Sequence, residues 1–451
     1  MINAILAFSD WLWGIPMLVI LAGGGLFLTF RLGFVQFRHF GFAMKETFGK
    51  IFAKAEGEGT VTPFQAASAA LASTIGASNI VGVPVAIAFG GPGAVFWMWL
   101  IALIGAASKI SEIVLGIKYR EKNAVGDYVG GPMYYLKAIK GNLGKVLSWL
   151  FAFFLMIELI PSIASQSLSA VQTAGSLNIP RWAVAALLVV LVGSVVFGGL
   201  KRIGMFTEKL VPVMAILYLI GGIAIIFANI TAVPTAFGLI FKGAFTKTAA
   251  VGGFGGAMLA NAVRWGTARG VYSNESGMGT APIAHSGAIT DHPVRQSMWG
   301  IFEIVVDTLI VCTITALVVL VSGVWTTMPG SEAAAMPAQA FQNLFGANLG
   351  GGVVTISIFL FVLSTITVIT YYGQTQAEFL FGETFGKIMV VVYLLAIVGG
   401  AYMNLEMMYK FLDILLAAII IPNMIGLVML SGEVVELKNE FFGDPKYFKK
   451  G

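Results

Sequence analysis

Eleven stretches of roughly twenty mostly apolar residues follow one another along the chain, at about 11–33, 62–88, 92–118, 147–176, 181–198, 207–229, 250–288, 293–322, 353–378, 385–403 and 407–431. That length is what an α-helix needs to cross a bilayer. In hydrocarbon every backbone N–H and C=O must be satisfied by protein, so only helices and closed barrels span it. Runs this long select helices. Composition agrees: 58% of the 451 residues are hydrophobic and 11% charged, with a mean hydropathy of +0.88, which excludes an ordinary soluble globular protein. The expectation is an all-α polytopic membrane protein with 11 transmembrane helices. The first stretch is read as a helix and not as a signal peptide, because no basic residue precedes it and "RLGFVQFRHF" follows in place of a small-residue cleavage site.

Lysines and arginines set the expected orientation. With the N-terminus outside and the C-terminus inside the plasma membrane, 21 of them fall in cytoplasmic segments and four in external ones, Arg181, Lys242, Lys247 and Lys410. Arg264 and Arg269 fall within a span. The net charge of +5 is then spread over loops facing the anionic leaflet, and no nucleic-acid partner is called for. Nor does any obligate protein partner emerge. The single cysteine, Cys312, excludes an internal disulfide and reads as a packing residue.

No hydrophilic block is long enough for a soluble domain. Within the membrane domain, Phe64 precedes Gly76 by the same distance as Phe254 precedes Gly266, and Glu112 and Glu303 follow those glycines at nearly equal spacing. This pairs two five-helix units, 62–229 and 250–431, separated by an external connection at 230–249. They are preceded by an extra helix and cytoplasmic connection at 1–61 and followed by a cytoplasmic tail at 432–451. An odd number of helices per unit inverts the second relative to the first. Inverted repeats with interrupted first helices point to a secondary transporter whose site lies near the midplane.

The interruptions are "STIGASNIVG", Ser73 to Gly82, and "RWGTARGVYSNESGMGTAP", Arg264 to Pro282. Gly76 admits unusual backbone angles, and Ser73, Thr74, Ser78 and Asn79 compete with the backbone for hydrogen bonds. Small-residue runs such as "AASAALAS" also allow close helix packing, and for one such run alone packing is the more common explanation. The second segment carries two arginines, a glutamate and an asparagine, which packing does not require, and ionisable residues at such depth mark function. Half-helix N-termini face anions and C-termini face cations, an arrangement that matches a zwitterion with a sodium ion.

"GGPGAVFWMWLIALIG", Gly90 to Gly105, and "RGVYSNESGMGTAP", Arg269 to Pro282, resemble the two signatures of the alanine/glycine:cation symporter family. The resemblance covers nearly the whole chain. It implies sodium-coupled uptake of alanine and glycine on a LeuT-type fold, a 5+5 inverted repeat preceded here by one extra N-terminal helix. It places Thr74, Gly76, Ala77, Ser78 and Asn79 at the substrate carboxylate. The carbonyls of Ala72 and Ile75, the hydroxyls of Ser364 and Thr365 and the carbonyl of Phe361 fall at a sodium (Na+) site of neutral oxygens, chemistry suited to a hard ion. Carbonyls around Gly270, Val271, Tyr272 and Ser273 are expected at the substrate ammonium, with Tyr272 closing over it. Gln166 is a candidate substrate contact or an interhelical hydrogen bond, with Ser162 and Ile163 standing where the family more usually has Gly-Asn.

Among the remaining residues, Glu112, Glu158, Glu303 and Asp307 lie in spans, as a proton relay or, more commonly, as internal ion-pair partners of Lys109, Arg264 and Arg269. His39, His285 and His292 lack metal-site spacing, and the last two are expected in a loop. Glycine clusters such as 252–256 do not open a phosphate-binding loop, and no nucleophile, base and orienter occur at readable spacing. An ATP-driven pump and an intramembrane enzyme are therefore not supported. The alternatives that stand beside sodium symport are proton-coupled symport on the same fold and, further off, a sodium channel.

Overall fold

Helices occupy each of the eleven apolar stretches, but not all are full spans. The computed structural model describes residues 8–9, 11–175, 177–245, 255–403 and 405–448. Lys247 of the external connection, residues 250–254 at the start of the second unit with Phe254 of the repeat spacing, part of the 252–256 cluster, and Lys449 and Lys450 of the tail lie outside the described residues. In chain order come α1 (Ile15–Arg31), the bent pair α2 (Pro63–Thr74) and α3 (Ser78–Gly90), α4 (Ala94–Lys118), α5 (Asn142–Gly175), α6 (Arg181–Val196) and α7 (Gly199–Ala228). Then follow α8 (Val233–Phe245), α9 (Gly255–Asn274), the short α10 (Ala281–His285), α11 (Pro293–Val321), α12 (Met336–Phe345), α13 (Ala347–Phe381), α14 (Glu383–Gly400), α15 (Leu405–Met429) and α16 (Ser431–Gly443). Among the described residues seven helices are long and apolar enough to cross a membrane, eight if α2 and α3 count as one span. The connection at 230–249 is in large part a helix, α8, and the tail carries α16, whose Phe441 is buried.

The surface inverts that of a soluble protein. Val190, Ile220 and Leu395 are about two-thirds exposed (65%, 65% and 64%), whereas Ser167, Gln376 and Asn423 are completely enclosed. Lipid contacts the apolar rim, and the polar groups converge inward, where only function or mutual bonding justifies them.

Local chemistry starts and bends the helices. Thr62 and Gln65 form a reciprocal capping box, each side chain bonded to the other's amide at 3.1–3.2 Å, with Pro63 in the first turn of α2. Outside the bundle, a two-stranded antiparallel hairpin, β1 (Glu121–Lys122) and β2 (Tyr128–Val129), turns where Asn123 Oδ1 accepts the amides of Val125 and Asp127. The long helices α5 and α13 pack along each other, α13 also lies against α2 and α7, and α9 packs against α3 and α4.

The α4–α9 contact depends on missing side chains. A Cβ at Gly266 would stand 2.3 Å from the Ala94 carbonyl oxygen, and one at Gly270 would stand 3.2 Å from Met98 Cα. Backbones this close gain dispersion contacts that drive helix association in lipid. Gly266→Leu is expected to lower the melting temperature of the detergent-solubilised protein, an overpacking cost of about 1–3 kcal/mol. Gly41→Ala, where a Cβ meets nothing within 4 Å, serves as the neutral comparison.

His292 does not lie free in its loop: its Nδ1 accepts the Val294 amide at 3.1 Å and caps α11. Burial lowers its pKa from the usual histidine value. The folded protein therefore prefers the neutral ring, and its stabilising effect is present above about pH 6.5 and is lost as pH falls toward and through the lower folded value. Melting temperature is expected to drop on acidification from pH 7.5 to 5.5 by more in the wild type than in His292→Asn, which keeps a cap without a titrating ring. Equal drops would remove this role.

Candidate functional site

At the end of α2 the backbone leaves the helix at Ile75 (φ −79°, ψ 84°), and the chain resumes through a turn of π-helix at Ser78–Gly82 with an overall bend of 45°. The freed groups are satisfied by side chains and, at the Gly76 amide, also by the Thr74 carbonyl at 3.0 Å. The Gly76 amide donates to Asn79 Oδ1 at 3.0 Å, and the Ala77 amide donates to Gln166 Oε1 at 3.1 Å. From α13, Thr365 Oγ1 donates to the Ala72 carbonyl at 2.8 Å and to the Ile75 carbonyl at 3.5 Å. A Cβ on Gly76 would lie 2.7 Å from Thr365 Oγ1 and 3.1 Å from Gln166 Nε2, so only glycine lets α5 and α13 approach the break this closely.

The second interruption falls later than the sequence suggests. α9 runs unbroken through Asn274, and the Val271 carbonyl accepts the Glu275 amide at 2.8 Å. Gly270 and Val271 are thus inside the helix. The break spans Glu275 to Thr280, where Glu275 (φ 56°), Gly277 (φ 86°) and Gly279 (φ 79°) adopt left-handed backbone. Such a conformation is ordinary for glycine and strained for glutamate.

Both sides of this break are held by one face of α4. Lys109 Nζ donates to the Asn274 carbonyl at 3.0 Å, at the negative C-terminal end of α9. One turn on, Glu112 Oε1 accepts the Gly279 amide at 3.0 Å. Asn423 Nδ2 bridges Glu112 Oε1 at 2.6 Å and the Gly277 carbonyl at 2.9 Å, and Tyr135 donates to Asn423 Oδ1. Lys109 also pairs with Glu303 at 2.8 Å, and the other Glu303 oxygen meets His285 Nε2 at 2.5 Å. His285, expected in a loop, is completely buried at the end of α10. Gln296 Nε2 lies 3.0 Å from His285 Nδ1, which puts the ring proton on Nε2, facing the carboxylate.

Of the other expected residues, Asn79 and Ser273 turn away from the cavity. Asn79 Nδ2 donates to Asp307 Oδ1 at 2.6 Å, and Ser273 Oγ and Thr308 Oγ1 donate to Oδ2 at 2.9 and 2.8 Å, tying α3, α9 and α11 together. Thr74 Oγ1 returns to the Leu71 carbonyl, and Ser364 Oγ bonds the Phe361 carbonyl at 2.8 Å within its own helix, beside Met214. Ser78, Gln166, Tyr272 and Thr365 do converge, on a small cavity of about 30 Å³ between the two breaks. That is room for water-sized occupants, so a larger ligand requires the walls to move.

A family model described as the sodium:alanine symporter family matches residues 1–450. The chain belongs to this family. Among its relatives are the Bacillus subtilis protein named uncharacterized transporter YflA, 52% identical over 98% of this chain and 94% of its own, and the sodium/alanine symporter AgcS of Methanococcus maripaludis, 40% identical over 96% and 95%. The crystal structure of MhsT in complex with L-phenylalanine superposes with a TM-score of 0.60 over 83% of this chain and 89% of that one. At 14% identity it shows the fold alone, a LeuT-type transporter architecture.

For this family member, one expected internal ion pair is present, Lys109 with Glu303; Arg269 pairs instead with Asp413 at 3.3 Å, an acid outside the expected set, and lies over the rings of Trp265 and Tyr272. Glu112, Glu158 and Asp307 bond to amides and hydroxyls instead. Sequence reasoning missed Ser73, Glu158, Glu275 and Thr280 as cavity walls. Glu275 was visible as the one acid in the second hallmark; Ser73 reads in the sequence as a hydroxyl that loosens the first break, and nothing in the pattern turns it toward a cavity. Lys109→Met is expected to cost about 3–5 kcal/mol by leaving Glu303 charged and half-paired. Adding Glu303→Gln is expected to recover much of that loss in a denaturation series, and an additive double variant would show the pair to be uncoupled.

Proposed function

We propose that the chain is a secondary active transporter that carries alanine and glycine into the cell with sodium, by alternating access in the orientation given by its basic residues. The observation that carries this reading is the convergence of the Ala72 and Ile75 carbonyls with Thr365 Oγ1 across an interrupted helix, next to a small cavity. Neutral oxygens replace the hydration shell of a monovalent hard ion. The name of the AgcS relative supports sodium and alanine as cargo. Sodium, bound between α2 and α13, fixes the break, and the amides of Gly76 and Ala77 then meet the substrate carboxylate. Coupling requires only that both ligands favour the same conformation. The two five-helix units rock around this site.

Proton coupling is the second reading, favoured by the enclosed Lys109–Glu303–His285 chain beside the second break. Radiolabelled alanine uptake into proteoliposomes separates the two. A sodium gradient is expected to drive uptake, with glycine competing and leucine not. Uptake driven only by a proton gradient would replace the sodium reading. Thr365→Ala is expected to raise the sodium concentration for half-maximal uptake roughly tenfold, the loss of one hydrogen-bonding ligand, and to leave amino-acid preference unchanged. Unaltered sodium activation would remove this ion site.

A further inference from the structure

The cavity between the breaks has an acidic side that the sodium reading does not use. Glu158 of α5 and Glu275 of the second break both line it, 2% and 7% exposed, and among the described residues no lysine, arginine or histidine does. Each carboxylate has one oxygen occupied by neutral hydroxyls. Ser162 Oγ donates to Glu158 Oε1 at 2.7 Å, and Ser73 Oγ and Thr280 Oγ1 donate to Glu275 Oε2 at 3.1 and 2.5 Å. The second oxygens, Glu158 Oε2 and Glu275 Oε1, have no hydrogen-bond partner among the described residues. Among the other acids of the bundle interior, Glu303 has Lys109 and both oxygens of Asp307 accept donors; Glu112 also keeps one oxygen without a partner among the described residues, but it does not line this cavity.

Two enclosed carboxylates with free oxygens on one small cavity leave a deficit of positive charge and of donors. A protonated primary amine supplies both, with one charge and three N–H groups to distribute over the oxygens. We propose that Glu158 and Glu275 form the subsite for the ammonium group of the transported ligand. This deepens the transport reading and rests on it. It takes over the ammonium from the carbonyls of Gly270 and Val271, which lie inside α9, whereas those of Tyr272 and Ser273 stand in the last turn of the helix. Glu275 holds its place in a backbone conformation that glycine would adopt more easily, so the side chain has a use there. The subsite makes the amine, and not only the carboxylate, a requirement for binding.

The test is a thermal-shift titration of the purified full-length protein with L-alanine, methylammonium chloride, propionate and sodium chloride, at constant ionic strength set by potassium chloride. In the wild type, alanine and methylammonium are expected to raise the melting midpoint and propionate is not. Glu158→Gln and Glu275→Gln are each expected to weaken apparent alanine affinity at least tenfold and to keep the sodium shift, which also reports that they fold. Glu275→Asp, which keeps the charge, is expected to retain more affinity than Glu275→Gln. A response to methylammonium without one to alanine would sink the alanine reading and leave the carboxylate subsite standing. Alanine affinity unchanged within twofold in both Gln variants, propionate binding as well as alanine, loss of the sodium shift with alanine binding intact, or no wild-type response to either amine would each overturn the subsite.

Discussion

The structure depends on one requirement: a helix opened at membrane depth exposes backbone groups that hydrocarbon will not satisfy, at several kcal/mol each. Here two helices are opened, and the answers come from side chains on neighbouring helices. At the second break the answer is concentrated on α4. Lys109 and Glu112, three residues apart and so on one face, place an ammonium donor on the carbonyl before the break and a carboxyl acceptor on an amide after it. Donor to the carbonyl end and acceptor to the amide side is the match that the peptide dipoles require.

This arrangement explains why ionisable residues are spent in the membrane interior. Lys109 serves the Asn274 carbonyl and Glu303 at once, and Glu303 in turn holds His285 at the end of α10. The break, the helix after it and α11 are thereby joined to α4 by charge-assisted bonds, the stronger class. Glycine packing at Gly266 and Gly270 brings α9 against the same helix. α4 and α9 are thus tied together by both backbone packing and side-chain bonds, while α5 and α13 meet around the cavity.

Much of this was legible in the sequence, for reasons that also mark the limit. The apolar stretches gave helix positions because burial in lipid leaves little freedom in pattern. The first break was readable because one glycine is set among competing hydroxyls and an asparagine, and Thr365 was placed opposite it through the family motif. The second break was placed about five residues early. Gly266 and Gly270 within that segment are packing contacts with α4, while the turn that leaves the helix is at a glutamate, a residue type that carries no left-handed signal. Pairings such as Lys109 with Glu303 or Asn79 with Asp307 join residues hundreds of positions apart in some cases, and no local pattern reports them. The count of eleven spans was set by hydropathy alone, and several of those helices, α1 and α6 among them, are shorter than a membrane crossing requires.

The Ala77 amide is held by the side-chain oxygen of Gln166, and the Gly76 amide is shared between Asn79 Oδ1 and the Thr74 carbonyl. These oxygens occupy the bonds that an incoming carboxylate would make. Ligand entry is then an exchange of one acceptor for another, in which the number of hydrogen bonds stays nearly constant. Such an exchange would form few new bonds on entry and break few on release. A transporter benefits from both properties, since a site that gripped its cargo with newly formed bonds would be slow to let it go.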